Sequence, residues 1–253
     1  MTLLEVDNLS KAFKGILAVQ NVSFAVEKGT IYSVIGPNGA GKTTLFNLIT
    51  GIYAPTEGDI RIDGVSVAGH KPSDFAPLGV ARTFQNLQVC ANMSACENVM
   101  VGAHVRLDRN LFKAAFRMPS LVRRDRELAA EAVELMRYVG LDAFITARAD
   151  AMPYGALKRL EIARALALKP RLLFLDEPAA GLNPKETIEV DDLIRKIADS
   201  GVTVVLVEHD MKLVMNLSNR ILVLDYGRKL VEGSVEEVRR HPDVIAAYLG
   251  TPA

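Results

Sequence analysis

The sequence predicts an α/β fold: a mainly parallel sheet, an antiparallel β subdomain and an inserted helical subdomain. Three observations carry this. Ile31 to Ile35, Leu172-Leu173-Phe174-Leu175, Val202 to Val207 and Ile221 to Leu224 are short apolar runs, the pattern of strands buried on both faces. Leu3 to Val26 alternates apolar and polar residues, as antiparallel strands with one solvated face do. From about Ser94 to Leu168 the period becomes helical.

Along the chain, Lys14-Gly15 marks a turn between the first two strands. After Ile35 comes Gly36-Pro37-Asn38-Gly39-Ala40-Gly41-Lys42-Thr43, which fills GxxxxGK[ST] in full. Thr44 then leads into Leu45, Phe46, Leu48 and Ile49, the start of a helix. Strand, glycine loop and helix N-terminus together let backbone N–H groups close around an anionic oxygen. Lys42 can reach the β- and γ-phosphates, and the Thr43 hydroxyl can ligate Mg²⁺. A plain glycine-rich turn leaves the full spacing unexplained. The sequence therefore predicts a nucleoside triphosphate site.

Tyr53 to Val67, with Pro55, Gly58 and Gly64, reads as a turn and a hairpin, and Val80 to Phe84 as a short strand. Ser94 with Glu97 is a capping box. Arg124 to Val139 places Leu128, Ala132, Leu135 and Val139 on one face, and Arg123-Arg124-Asp125-Arg126 reads as a solvated face. The run Leu172 to Leu175 ends in Asp176-Glu177. One of these carboxylates can serve the Mg²⁺ shell while its neighbour polarises a water. Taken alone, two acids at a strand end are equally a capped turn. A later strand ends in His209, at the carboxyl edge where such sheets bind ligands.

The chain has 253 residues, with 30 basic and 30 acidic side chains, so no global field attracts nucleic acid. No apolar run nears the roughly 20 residues of a membrane helix, and the start lacks a signal-peptide pattern. Cys90 and Cys96 lack metal-ligand spacing and read as free thiols of a reducing compartment.

Together these segments resemble the ATP-binding subunit of an ABC transporter, over essentially the whole chain. Gly36 to Thr43 resembles Walker A, Leu172 to Asp176 Walker B, and Gln85 the Q-loop. Glu177 resembles the catalytic glutamate, His209 the switch histidine, and Ala180-Gly181-Leu182-Asn183 the D-loop. Phe13 resembles the aromatic that stacks on adenine; an ordinary strand aromatic is its other reading. Gly79 to Asn86, Tyr154-Gly155, Leu160 to Leu166 and the tail Pro242 to Gly250 are similar to branched-chain amino-acid importers. Importers of urea and other small solutes share much of this pattern.

The resemblance implies a single ABC ATPase domain over 1–253 with a helical subdomain at about 86–168. It implies a peripheral ATPase at the cytoplasmic face of the inner membrane of a bacterium, docked on integral-membrane permease subunits. Gly36 to Thr44, Phe13, Gln85, Tyr154 and Gly155 would bind ATP. Thr43, Gln85 and Asp176 would serve Mg²⁺, and Glu177, His209 and Lys42 would carry hydrolysis. One departure matters: the family signature LSGGQ or LSYGQ reads Met152-Pro153-Tyr154-Gly155-Ala156 here. Proline offers neither the serine's hydroxyl nor an N–H. Two copies of this chain would both lack that donor, so a second, different ATPase subunit is expected in a heterodimer. A lipopolysaccharide-export ATPase, a soluble translation or DNA-repair ATPase and a nucleotide-sensing subunit without turnover stand as alternatives.

Overall fold

The computed structural model describes residues 1–106 and 119–249. Strands β1 (Thr2–Phe13) and β2 (Ile16–Glu27) form the hairpin expected around Lys14-Gly15. Strand β3 (Ile31–Ile35) is buried throughout and runs into the glycine loop and helix α1 (Lys42–Ile49). β4 (Glu57–Ile62) pairs with the other side of β1 and with the short β5 (Val65–Ser66), completing an antiparallel sheet ordered β2-β1-β4-β5. After a short helix α2 (Pro72–Phe75) comes β6 (Val80–Arg82).

The helical stretch contains α3 (Ala95–Gly102), α4 (Pro119–Tyr138) and α5 (Tyr154–Leu166). The Ser94–Glu97 capping box forms as expected: Ser94 N–H donates to Glu97 Oε2 (2.8 Å), and Glu97 N–H donates to Ser94 Oγ (3.2 Å). Leu128, Ala132 and Val139 are buried on one face of the α4 region, together with Met136.

Strands β7 (Leu172–Asp176), β8 (Thr203–Val207) and β9 (Arg220–Asp225) alternate with helices α6 (Pro184–Asp199) and α7 (Met211–Leu217). Strand β10 (Arg228–Gly233) and helices α8 (Val235–Arg240) and α9 (Pro242–Leu249) follow. The large sheet is ordered β10-β9-β3-β8-β7-β6, parallel except for the edge strand β10. No described helix is long and apolar enough to cross a membrane.

The fully buried strands β7 and β8 sort their apolar side chains by parity. Leu172, Phe174, Val205 and Val207 join the core against β1, β2 and α1, whereas Leu173, Leu175, Val204 and Leu206 join the core beneath the helical segment. A strand with helices or sheet on both faces needs apolar residues at every position. The order matters for the site: β3, β8 and β7 are adjacent. Their carboxyl ends bring the glycine loop, Glu208-His209 and Asp176-Glu177 side by side.

Candidate nucleotide site

Two glycines of the loop could be nothing else. A Cβ on Gly36 would lie 2.3 Å from the Leu224 carbonyl oxygen. Gly41 has φ +98, and its Cβ would lie 2.6 Å from the Ala18 carbonyl oxygen. The close approach leaves Asn38 to Thr44 around one wall of a cavity of ≈ 530 Å³, which Gln85 and Glu177 also line. Within the loop, Lys42 Nζ donates to the carbonyls of Gly36 (2.7 Å) and Pro37 (3.0 Å). Burial lowers the pKa of this ammonium, and the nearby carboxylates of Glu177 and Asp176 oppose that shift.

The paired acids at the end of β7 take different environments. Asp176 is the last residue of β7, and Glu177 follows it at φ 48, a left-handed conformation uncommon outside glycine. Glu177 lines the cavity, where its Oε2 accepts from Gln85 Nε2 at 3.1 Å. Its backbone is held by the Val207 carbonyl (2.9 Å), and Lys158 Nζ of α5 donates to its own carbonyl (3.3 Å). Asp176 is buried and accepts from Arg82 at 2.9 Å. Burial pushes the Asp176 carboxyl pKa up, with Arg82 pulling the other way. The same guanidinium donates to Asn47 Oδ1 (2.8 Å) and Thr50 Oγ1 (2.7 Å) of the α1 segment, tying three parts of the site together. Arg82 lies within the Gly79 to Asn86 segment of the resemblance, which gives it no role of its own. A lone cation in a short apolar run was its only signal.

At the end of β8, Glu208 is fully buried, and its carboxylate accepts from the N–H groups of Ala179 (3.0 Å), His209 (3.1 Å) and Asp210 (3.5 Å). His209 itself is exposed, its Nδ1 3.8 Å from Glu208. Pro153 occupies the N-cap of α5 with no side-chain hydrogen bond; Tyr154 is exposed and Gly155 buried. Phe13 packs edge-on to Tyr53 at 5.2 Å. Phe13, Tyr154, Gly155, Asp176 and His209 are outside the cavity lining, whereas Ile16, Leu17 and Tyr226 belong to it.

Beside this region, Asp191 Oδ1 is buried with no hydrogen-bond partner among the described residues. Burial, then the charges of Asp210, Asp192 and Glu208, push its carboxyl from 3.8 up to about 6. Folding therefore takes up a proton between those values, and stability falls as pH rises through that window. Asp191→Asn is expected to stabilise the fold by about 1 kcal/mol at about pH 8, a figure discounted for solvent screening, and to give little at about pH 4. Thermal melts at the two pH values check this; an equal gain at both would remove the electrostatic explanation.

The ABC transporter family model matches residues 19–180, and that of the branched-chain amino acid ATP-binding cassette transporter matches 228–253. The chain is 47% identical over 249 residues to the high-affinity branched-chain amino acid transport ATP-binding protein BraF of Pseudomonas aeruginosa, with 98% of each chain covered. It is 44% identical over 249 residues to LivG of Escherichia coli, again with 98% of each covered. A solved ATP-binding cassette of an ABC transporter in its ADP conformation has a TM-score of 0.86 and 28% identity, covering 99% of this chain and 100% of that one. A nucleotide-free ATP-binding cassette from an ABC transporter gives a TM-score of 0.86 and 27% identity, with 99% and 100% covered. With the phosphate loop, the split acids and the parallel sheet in place, the chain belongs to the ABC transporter ATP-binding family, as a member of its branched-chain amino acid type.

Proposed function

We propose that the chain hydrolyses ATP to drive uptake of branched-chain or other hydrophobic amino acids through a membrane permease. The observation that carries the chemistry is Glu177 facing the phosphate-loop cavity with Gln85 hydrogen-bonded to its carboxylate. Lys42 and the loop amides hold the phosphates, and Glu177 orients and deprotonates the attacking water. His209, exposed at the neighbouring strand end, contacts the γ-phosphate. The names of the similar proteins BraF and LivG support the solute class.

Thr43, Gln85 and Asp176 are oxygen donors, the chemistry that Mg²⁺ takes, and the Arg82 bridge engages only Oδ2 of Asp176. Among the described residues no three His, Cys, Asp or Glu cluster to hold a metal by themselves. That fits an ion carried mainly by phosphate and water. When bound, Mg²⁺ supplies charge neutralisation on the β- and γ-phosphates.

The permease reading rests on a second cavity of ≈ 510 Å³, lined by Phe75, Phe84, Gln88, Val101, His104 and Arg164 among others. Phe84 and Gln88, on either side of Gln85 in the chain, line it, so an occupant would bear on the segment that carries Gln85. The partner ATPase reading rests on Pro153: a subunit with an intact signature serine would complete the site built on this chain's Lys42 and Glu177. Membrane association is then peripheral, at the cytoplasmic face, through the permease. In a background with Cys90 and Cys96 replaced by Ser, Gln88→Cys is expected to cross-link to a permease that co-purifies with a second ATPase subunit. Cross-linking only from the opposite surface would overturn the docking assignment, and brisk cooperative hydrolysis by the isolated chain would overturn the heterodimer.

A further inference from the structure

Helix α5 buries two charged side chains. Lys158 is 3% exposed and Glu161 6%, beside the equally buried Leu160, Ile162 and Ala163. Charged residues are almost never buried so deeply without a partner. Among the described residues, the hydrogen-bond partners of both are backbone groups of the nucleotide site. Lys158 Nζ donates to the Glu177 carbonyl at 3.3 Å, and the Glu161 carboxylate accepts from Phe84 N–H at 3.2 Å. Burial raises the Glu161 carboxyl pKa, with the Phe84 bond and the Lys158 charge opposing it. Residues three apart on a helix share a face. One face of α5 therefore reaches the segments that carry both partners of the Gln85–Glu177 hydrogen bond.

Glu177 needs such a hold. Its φ of 48° is strained for a residue with a side chain, and such residues persist only where their surroundings fix them. The Val207 carbonyl takes its N–H at 2.9 Å, and Ala180 N–H donates to its carbonyl at 3.1 Å. Those bonds come from the neighbouring strand and from the turn itself. Lys158 adds a charged donor from the helical segment, and charged donors make the stronger bonds. We propose that Lys158 is a positioning residue for hydrolysis: its ammonium fixes the left-handed backbone that aims the Glu177 carboxylate at Gln85 and the attacking water. This rests on the reading of Glu177 as the group that orients and deprotonates that water.

The test is single-turnover ATP hydrolysis in the assembled transporter, beside equilibrium binding of ATP. Lys158→Met keeps the length of the side chain and removes its charge and donors. It is expected to slow hydrolysis by about 10- to 100-fold, the size of a small misplacement of a reacting group, with ATP affinity within about twofold of wild type. Should that variant not fold, Lys158→Ala carries the same expectation. Lys158→Arg keeps both charge and donors and should hydrolyse within about threefold of wild type. In a Glu177→Gln background, Lys158→Met should slow hydrolysis no further, because no base is left to aim. Full multiplication of the two losses, as independent defects give, would overturn the proposal. So would an unchanged rate in Lys158→Met, a rate loss matched by a loss of ATP affinity, or Lys158→Arg as slow as Lys158→Met. Glu177→Gln alone reports on the underlying reading: if it hydrolyses ATP at the wild-type rate, the assignment of the base fails instead.

Discussion

Glu177→Gln is expected to slow ATP hydrolysis by on the order of 10²- to 10³-fold while leaving ATP affinity within about twofold of wild type. The change is isosteric, and the contacts that place the side chain are not its charge. Glu177 N–H and carbonyl are held by Val207 and Lys158, and a Gln amide oxygen can still accept from Gln85. What disappears is the basic oxygen that takes or orients the water's proton. The barrier rises by about 2.7–4 kcal/mol for that loss in rate. Single-turnover hydrolysis in the assembled transporter, beside equilibrium binding of ATP, separates the two effects. Unchanged turnover would remove Glu177 from the chemistry.

Arg82→Ala is expected to destabilise the fold by about 3–5 kcal/mol, because it strands a buried carboxylate. The Arg82 side chain is 8% exposed and its partner Asp176 4%. The guanidinium lies 5.7 Å from the Phe46 ring centre and 5.1 Å from that of Phe84. For a chain of this size the melting temperature should fall by roughly 6–20 °C. Without Arg82 the Asp176 carboxyl rises further above its unfolded value. The penalty is then full above the folded pKa and fades as pH falls toward the unfolded one. Adding Asp176→Asn should recover much of the loss. A change below about 1 kcal/mol would place this bridge with solvent-exposed pairs.

Much of this architecture was legible because it is written in local patterns. The all-apolar run Leu172 to Leu175 demanded cover on both faces, and the sheet provides it. Ser94 and Glu97 sit three residues apart and satisfy each other's backbone N–H without tertiary help. Arg82 was illegible for the converse reason. Its partner Asp176 lies 94 residues away, reached only because β6 pairs with β7. β10 was missed because Arg228 to Gly233 is a half-covered edge strand, where mixed charges blur the period of two. Tyr226-Gly227 could have been read as a hairpin turn, but nothing local says that its ring borders the cavity. Glu208 carries no local signal, because its three backbone partners come from two separate loops.

That arrangement of Glu208 has a mechanical consequence. The segment after β7 and the segment after β8 hang from one carboxylate, in a place where water does not compete. Pulling Ala179 away from His209 would stretch charge-assisted bonds in a dry setting, the costly direction of motion. The two segments are therefore coupled to each other through the buried Glu208 carboxylate. The His209 imidazole, 62% exposed, lies outside that constraint and can swing about its own side-chain torsions. A displacement on the Ala179 side is thereby linked through one carboxylate to the histidine's backbone, and not to its exposed ring.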